Sequence, residues 1–203
     1  MDIKKVAVIV SGVMGAQIAA HFANAGVPTL LLDIVPQGAD DRNVLASGAI
    51  SKMIKGSPKA FVHNAASKRV TAGNLEDDFD QLSDVDWIVE AIIEDPNIKS
   101  ELYQRIDKVR KDTTIVSSNT STIPLSRLVQ GLSDSFRQHF LVAHFFNPPR
   151  YMRLLELVVG ADTKPAVLSI VEKFSDHRLG KGVVHCHDRP GFVANRIGIF
   201  WMQ

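Results

Sequence analysis

The sequence predicts an α/β fold, a doubly wound and mostly parallel sheet with an antiparallel hairpin in its C-terminal half. Three observations predict it. Short, mostly apolar runs alternate with stretches of helical periodicity, the pattern of strands covered on both faces by crossover helices. A glycine-rich turn follows the first apolar run and opens the first helix. Two later apolar runs are joined by a link too short to hold a crossover helix, which makes them antiparallel neighbours.

Taken in order, Val6 to Val10 reads as a buried strand, and Val13 to Ala25 as a helix with Ile18, Ala19, Phe22 and Ala23 on its apolar face. Gly26 closes that helix and Thr29 to Leu32 forms the second strand, ending at Asp33. A right-handed crossover is expected between the two strands. From 36 to 68 the alternation loosens into a helical insertion, with helices expected near Asn43 to Ile54 and Pro58 to Ser67. Val70-Thr71 is a short strand, Trp87 to Ala91 a clear one, Asn97 to Val109 an amphipathic helix, and Thr114 to Ser118 the next strand. Phe140 to Phe145 and Leu154 to Val159 flank Asn147-Pro148-Pro149-Arg150 as the hairpin. Pro165 to His177 is a helix, Val183 to Cys186 a last strand, and Phe192 to Gln203 a fresh apolar helix after Asp188-Arg189-Pro190-Gly191.

Composition narrows the function classes. With 45% hydrophobic and 22% charged residues among 203, the chain is neither disordered nor fibrous. Lys plus Arg total 23 against 22 for Asp plus Glu, so no basic surface points to nucleic acid. No apolar run is long enough to span a membrane, and the first is too short for a signal-peptide core. The single cysteine, Cys186, excludes an internal disulfide framework and fits a cytoplasmic setting. The histidines His21, His63, His139, His177, His185 and His187 have no spacing that suggests a metal site.

Val10-Ser11-Gly12-Val13-Met14-Gly15 stands where a dinucleotide fingerprint stands in a Rossmann-type fold. Gly12 lets the backbone approach a pyrophosphate, Gly15 lets the helix pack closely on the strand, and the helix N-terminus offers amide N–H groups to phosphate. Asp33, eighteen residues after Gly15, can accept the ribose hydroxyls and would repel a 2′-phosphate, which favours NAD over NADP. The first fingerprint glycine is replaced by Val10, a β-branched residue in a tight turn. A strained loop and weak NAD binding are expected from it.

SGVMGAQIAAHFANAG at 11–26, VEAIIED at 89–95, SSNTS at 117–121, HFFNPPRYMRLLE at 144–156 and DRPGFVANRIG at 188–198 together carry a resemblance. In order and spacing they are similar to the L-3-hydroxyacyl-CoA dehydrogenases of fatty-acid β-oxidation, over essentially the whole chain. The NPPRYMRLLEL segment most resembles long bacterial members in which a hydratase-like region follows. The resemblance implies an NAD-binding domain over 1–187 and, over 188–203, a linker and the first helix of an all-α domain that completes the site and makes a homo-oligomer. It implies NAD as cofactor, an acyl-CoA substrate, and poor turnover by these residues alone.

Oxidising a secondary alcohol needs a base for the hydroxyl proton, and histidine titrates near neutrality. A hairpin centred on Arg150 sets His144 directly opposite Glu156, within about 4.5–5.5 Å between Cβ atoms. Glu156 could then hold the imidazole tautomer and stabilise the imidazolium. A carboxylate inside Leu154 to Val158 is otherwise costly to bury. The bland alternative for a histidine in an apolar strand is a satisfied core residue.

The resemblance implies His144 as base with Glu156 as its partner, Ser121 on the substrate 3-oxygen and near the cofactor, and Asn195 as a further polar contact. Ser121 could instead cap a helix before Ile123-Pro124, and Asn195 could face solvent. Glu94, Lys99 and Asn147 match positions near the nicotinamide ribose and ring, although Glu94 and Lys99 could form an ordinary ion pair. Gly12, Val13, Met14, Gly15 and Asp33 complete the cofactor set, and Lys52, Lys55 and Lys59 either meet CoA phosphates or are merely solvated. Two rival functions stand beside this one: a dehydrogenase of another small hydroxy acid, and a nucleotide-binding module with weak catalysis.

Overall fold

The structure is a computed structural model describing residues 2–10 and 12–202. Ser11 of the glycine turn and Gln203 of the expected last helix lie outside the described residues. Among the described residues eight strands form one sheet in the order β3-β2-β1-β4-β5-β6-β7-β8. They are β1 (Val6–Ile9), β2 (Thr29–Asp33), β3 (Val70–Asn74), β4 (Trp87–Glu90), β5 (Ile115–Ser118), β6 (Phe140–Phe145), β7 (Leu154–Val159) and β8 (Gly182–Cys186). All neighbours are parallel except β6 and β7, which pair antiparallel. The chain leaves β1 toward one edge and returns to the other side of β1 with β4. That reversal opens a crevice at the carboxyl ends of β1 and β4, where doubly wound sheets bind ligands.

Helices α1 (Val13–Asn24), α2 (Val44–Lys55) and α6 (Pro165–His177) cover one face, while α3 (Pro96–Val109), α4 (Leu125–Leu128) and α5 (Asp134–Gln138) cover the other. Alternation along the strands feeds both cores. Val6 and Val8 enter the first, with Phe22, Trp87, Phe145 and Phe174, whereas Ala7 and Ile9 enter the second, with Tyr103, Phe136 and Phe140.

The insertion departs from expectation. Its first helix is present as α2, but the helix expected from Pro58 to Ser67 is absent, and only a 3₁₀ turn forms at Asn64–Arg69. Asn24 explains part of this, bonding the carbonyl of Ala60 at 2.8 Å and the amide of Val62 at 2.9 Å. Arg150 claims the carbonyls of Lys59 and Phe61 at 2.7 and 3.1 Å, so these backbone groups are satisfied without a helix. The following strand is longer than expected and runs to Asn74 because it pairs with the whole of β2.

The last helix, α7 (Ala194–Met202), begins two residues later than expected. The hairpin has the expected register, with His144 opposite Glu156 and Phe145 opposite Leu155. Its turn is tied from below by Lys181, whose buried ammonium donates to the carbonyls of Pro149 and of Met152, the latter at 2.9 Å.

Candidate active site

Strand parity places four polar side chains on one face of the sheet at one end. Glu90 ends β4, Ser118 ends β5, and His144 stands near the end of β6, in the row of Phe140 and Val142. Glu156 of the antiparallel β7 faces His144. All four are buried.

His144 Nδ1 lies 2.8 Å from Glu156 Oε2. The other carboxylate oxygen, Oε1, accepts the backbone amides of Val193 at 3.0 Å and Ala194 at 2.8 Å. Glu156 therefore does two things: it orients the imidazole and anchors the start of α7, where amide N–H groups favour negative charge. The imidazole packs against Phe146 and Phe192, with ring centroids 4.5 and 5.6 Å away. With Nδ1–H given to the carboxylate, Nε2 carries the lone pair and can take a proton.

Ser121 reaches the same place from β5. Its carbonyl accepts the amide of Gly191 at 3.0 Å, next to the phenyl ring that covers His144. Glu94 holds the loop around it. Oε1 of Glu94 accepts the Thr120 hydroxyl, the amides of Ser121 and Thr122 at 3.1 and 3.2 Å, and the Thr122 hydroxyl at 3.0 Å. Burial opposes ionisation of Glu94, but the Thr120 bond, the Lys99 charge and the remaining loop bonds outweigh it and hold the carboxyl below its ordinary value. The turn after Ser121 is capped by the Thr120 hydroxyl, and α4 by Asp188, so Ser121 is not a helix cap.

Beneath this loop lies a buried cluster. Lys99 Nζ is 2.6 Å from Glu90 Oε1 and 3.4 Å from Glu94 Oε2. Glu90 Oε2 accepts the hydroxyls of Tyr103 and of Ser118, the latter at 2.7 Å. Burial first, and the Glu90 charge second, push the Tyr103 hydroxyl well above its ordinary pKa, so it stays a donor. Glu90 and Tyr103 were not singled out from the sequence. A carboxylate inside the apolar run Trp87 to Ala91 is the same signal that marked Glu156, and would have found Glu90.

The glycine turn lies at the carboxyl end of β1. Gly12 is the N-cap of α1 and makes no side-chain cap, which leaves the first amides of the helix to a ligand. A Cβ on Gly15 would stand 1.8 Å from the Val10 carbonyl oxygen, so only glycine fits there. Val10 itself has φ +78°, the left-handed conformation that a first fingerprint glycine would adopt without cost. A cleft of about 550 Å³ beside the turn is lined by Val10, Gly12, Val13, Asp33, Lys52 and Met53, among others. Asp33 is buried and its Oδ1 accepts the Ile34 amide at 2.7 Å. A bare helix N-terminus, an obligate glycine and a carboxylate at the end of β2 fit a dinucleotide. Met14 packs partly buried against the core, and Val13 is exposed at the mouth.

Residues 5–189 match the sequence model described as 3-hydroxyacyl-CoA dehydrogenase, NAD binding domain. The chain belongs to this family. A curated relative from Deinococcus radiodurans, described as "Probable 3-hydroxyacyl-CoA dehydrogenase", is 51% identical over 200 residues, which cover 98% of this chain and 58% of that protein. The "Fatty acid oxidation complex subunit alpha" of Colwellia psychrerythraea is 32% identical over 96% of this chain and 26% of its own length. The crystal structure of (S)-3-hydroxybutyryl-CoA dehydrogenase PaaH1 from Ralstonia eutropha superposes with a TM-score of 0.78 at 30% identity, over 97% of this chain and 68% of that one. The chain thus spans little more than half of the first relative and about a quarter of the second.

Within this 3-hydroxyacyl-CoA dehydrogenase domain the expected residues fall into two groups. His144, Glu156, Ser121 and Glu94 converge on one end of the sheet, with Asn195 half-buried on the helix that Glu156 anchors. Gly12, Val13, Gly15 and Asp33 gather at the glycine turn. Asn147 is exposed on the hairpin turn. Lys52 faces the nucleotide-side cleft, Lys55 is exposed, and Lys59 lines a separate cavity with His63, Arg150 and Tyr151. Lys99 is 1% exposed and enclosed by oxygens of the protein.

Proposed function

We propose that, in the full-length protein, this domain binds NAD and interconverts (S)-3-hydroxyacyl-CoA and 3-oxoacyl-CoA in fatty-acid oxidation. The observation that carries this reading is the His144–Glu156 pair, set at the carboxyl ends of the strands beside the Ser121 loop. Nε2 of His144 removes the hydroxyl proton, and Glu156 stabilises the imidazolium that results. Ser121 holds the substrate 3-oxygen, and Asn195 adds a polar contact from the far side. NAD, when bound, would supply the acceptor for the hydride that leaves the same carbon. Gly12, Val13, Met14 and Gly15 would hold its pyrophosphate and Asp33 its adenosine ribose, with Glu94 and Asn147 toward its nicotinamide end.

In this reading residues 1–187 form the nucleotide-binding unit and 188–203 lead into a helical domain that completes the site and makes a homo-oligomer. A cytoplasmic setting belongs to it, supported by the single cysteine.

In the full-length enzyme, His144→Gln is expected to abolish acetoacetyl-CoA reduction while NADH binding is retained. Activity within tenfold of wild type would overturn the assignment of the base. Faster turnover of free hydroxy acids than of acetoacetyl-CoA would move the substrate class away from thioesters.

A further inference from the structure

We propose that Arg150, in the turn of the hairpin that carries His144 and Glu156, is a positioning residue for one wall of the cofactor cleft and governs NADH affinity without governing turnover. Gly56, Ser57, Pro58 and Ala60 line the same cleft as Val10, Gly12 and Asp33. Between the end of α2 at Lys55 and the 3₁₀ turn at Asn64 this stretch joins no helix and no strand, so no ladder fixes its path. The side chains of Ala60 and Phe61 enter the first core and hold the stretch down, but apolar burial is not directional. Hydrogen bonds set its path.

Those bonds come alternately from two sides. Nη1 of Arg150 donates to the carbonyls of Lys59 and Phe61 at 2.7 and 3.1 Å, and the Tyr151 hydroxyl donates to that of Lys59 at 3.1 Å. From the end of α1, Asn24 donates to the Ala60 carbonyl at 2.8 Å and accepts the Val62 amide at 2.9 Å. Residues 59–62 are thereby strung between α1 and the hairpin. Cutting the Arg150 tie loosens one of its two ends far more than the other. The hairpin keeps its ladder from Leu141–Val159 to Phe145–Leu155, its turn bonds from the Tyr151 and Met152 amides to the Pro148 carbonyl, and Lys181 beneath it. The wall keeps Asn24 and one tyrosine hydroxyl as its partners outside the insertion. The wall therefore shifts, while His144 stays in register with Glu156.

This rests on the reading of that cleft as the cofactor's. In the full-length protein, Arg150→Met is expected to raise the NADH dissociation constant, and KM for NADH with it, at least fivefold. Its kcat for acetoacetyl-CoA reduction at saturating NADH is expected to stay within threefold of wild type, a split that a general loss of structure would not give. In hydrogen–deuterium exchange the Val62 amide is expected to speed at least fivefold and the Met152 amide to stay within threefold. A smaller rise in the dissociation constant, a kcat loss beyond threefold, or a Met152 amide that speeds as much as Val62 overturns the proposal. Arg150 also carries a charge that by itself attracts phosphate. Asn24→Ala releases the same stretch from the other side with no change of charge, and it serves as the test where Arg150→Met fails to fold. It too is expected to weaken NADH binding at least fivefold, and unchanged affinity there overturns the positioning role. Gly15→Ala, which tests the cleft itself, should weaken NADH binding with the Val62 amide unmoved. If Gly15→Ala leaves NADH affinity intact, the reading of the cleft fails; if the Val62 amide is unmoved in Arg150→Met, the tie fails.

Discussion

Val10 allows a test of backbone strain in which the usual order of two substitutions reverses. Its φ of +78° puts an L-residue in the left-handed region, at a cost of about 1–2 kcal/mol. Its half-buried side chain packs against the second core, so cutting it to alanine loses part of a valine's burial, about 1 kcal/mol. Val10→Ala keeps the strain and loses the packing. Val10→Gly loses slightly more packing and about 0.5–1 kcal/mol to unfolded-chain entropy, yet sheds the strain entirely. The glycine variant is therefore expected to exceed the alanine variant by about 0.5 kcal/mol, where alanine ordinarily wins by about 0.5–1 kcal/mol. For a chain of this size that is a Tm difference of about 1–2 °C in thermal unfolding. The glycine variant is also expected to bind NADH at least as tightly as wild type, because the turn is then relaxed as the pyrophosphate approaches. An alanine variant as stable as the glycine variant would refute the strain argument.

Three further outcomes follow from the same geometry. Gly15→Ala drives a methyl to 1.8 Å from the Val10 carbonyl, so NADH binding should fall by at least tenfold in a titration. Glu156→Gln keeps the shape but removes the charge that two amides and the imidazole share, and kcat is expected to fall about 100-fold or more, as read by NADH consumption. His21 is lowered to about 4, first by burial and then by the Lys181 charge, against the opposing bond to the Leu179 carbonyl. Its folded pKa lies below the unfolded 6.5, so the unfolded chain binds more protons between these values and stability falls as pH drops through that window. At pH 4.5 the loss is about 2–3 kcal/mol. Urea unfolding at pH 7 and 4.5 should show this loss shrinking in His21→Gln.

The parts of the molecule legible in the sequence are those where chemistry and periodicity agree. Strands β1, β2, β4, β5, β6 and β7 are mostly apolar runs, and the hairpin register followed from a link too short to be anything else. His144 and Glu156 were readable for the same reason, since each is a polar residue in a strand that had no other use for it. The missing helix at 58–67 was not legible, because its backbone is satisfied by Asn24 and Arg150, which are distant in sequence. Nor was the second use of Glu156. No local pattern announces that a carboxylate in β7 will meet amides at 193 and 194. Glu90 carries the same sign as Glu156, a carboxylate inside an otherwise apolar strand.

The shared carboxylate also bears on how the chain matures during synthesis. Residues of the hairpin can pair as soon as they emerge, and Glu156 then has His144 as its companion. Its other two bonds wait for the start of α7, which is made later. The hydrogen-bond set of Glu156, and with it the full compensation of its charge in the folded sheet, is thus complete only with the start of α7 in place, so the hairpin and that helix share one carboxylate.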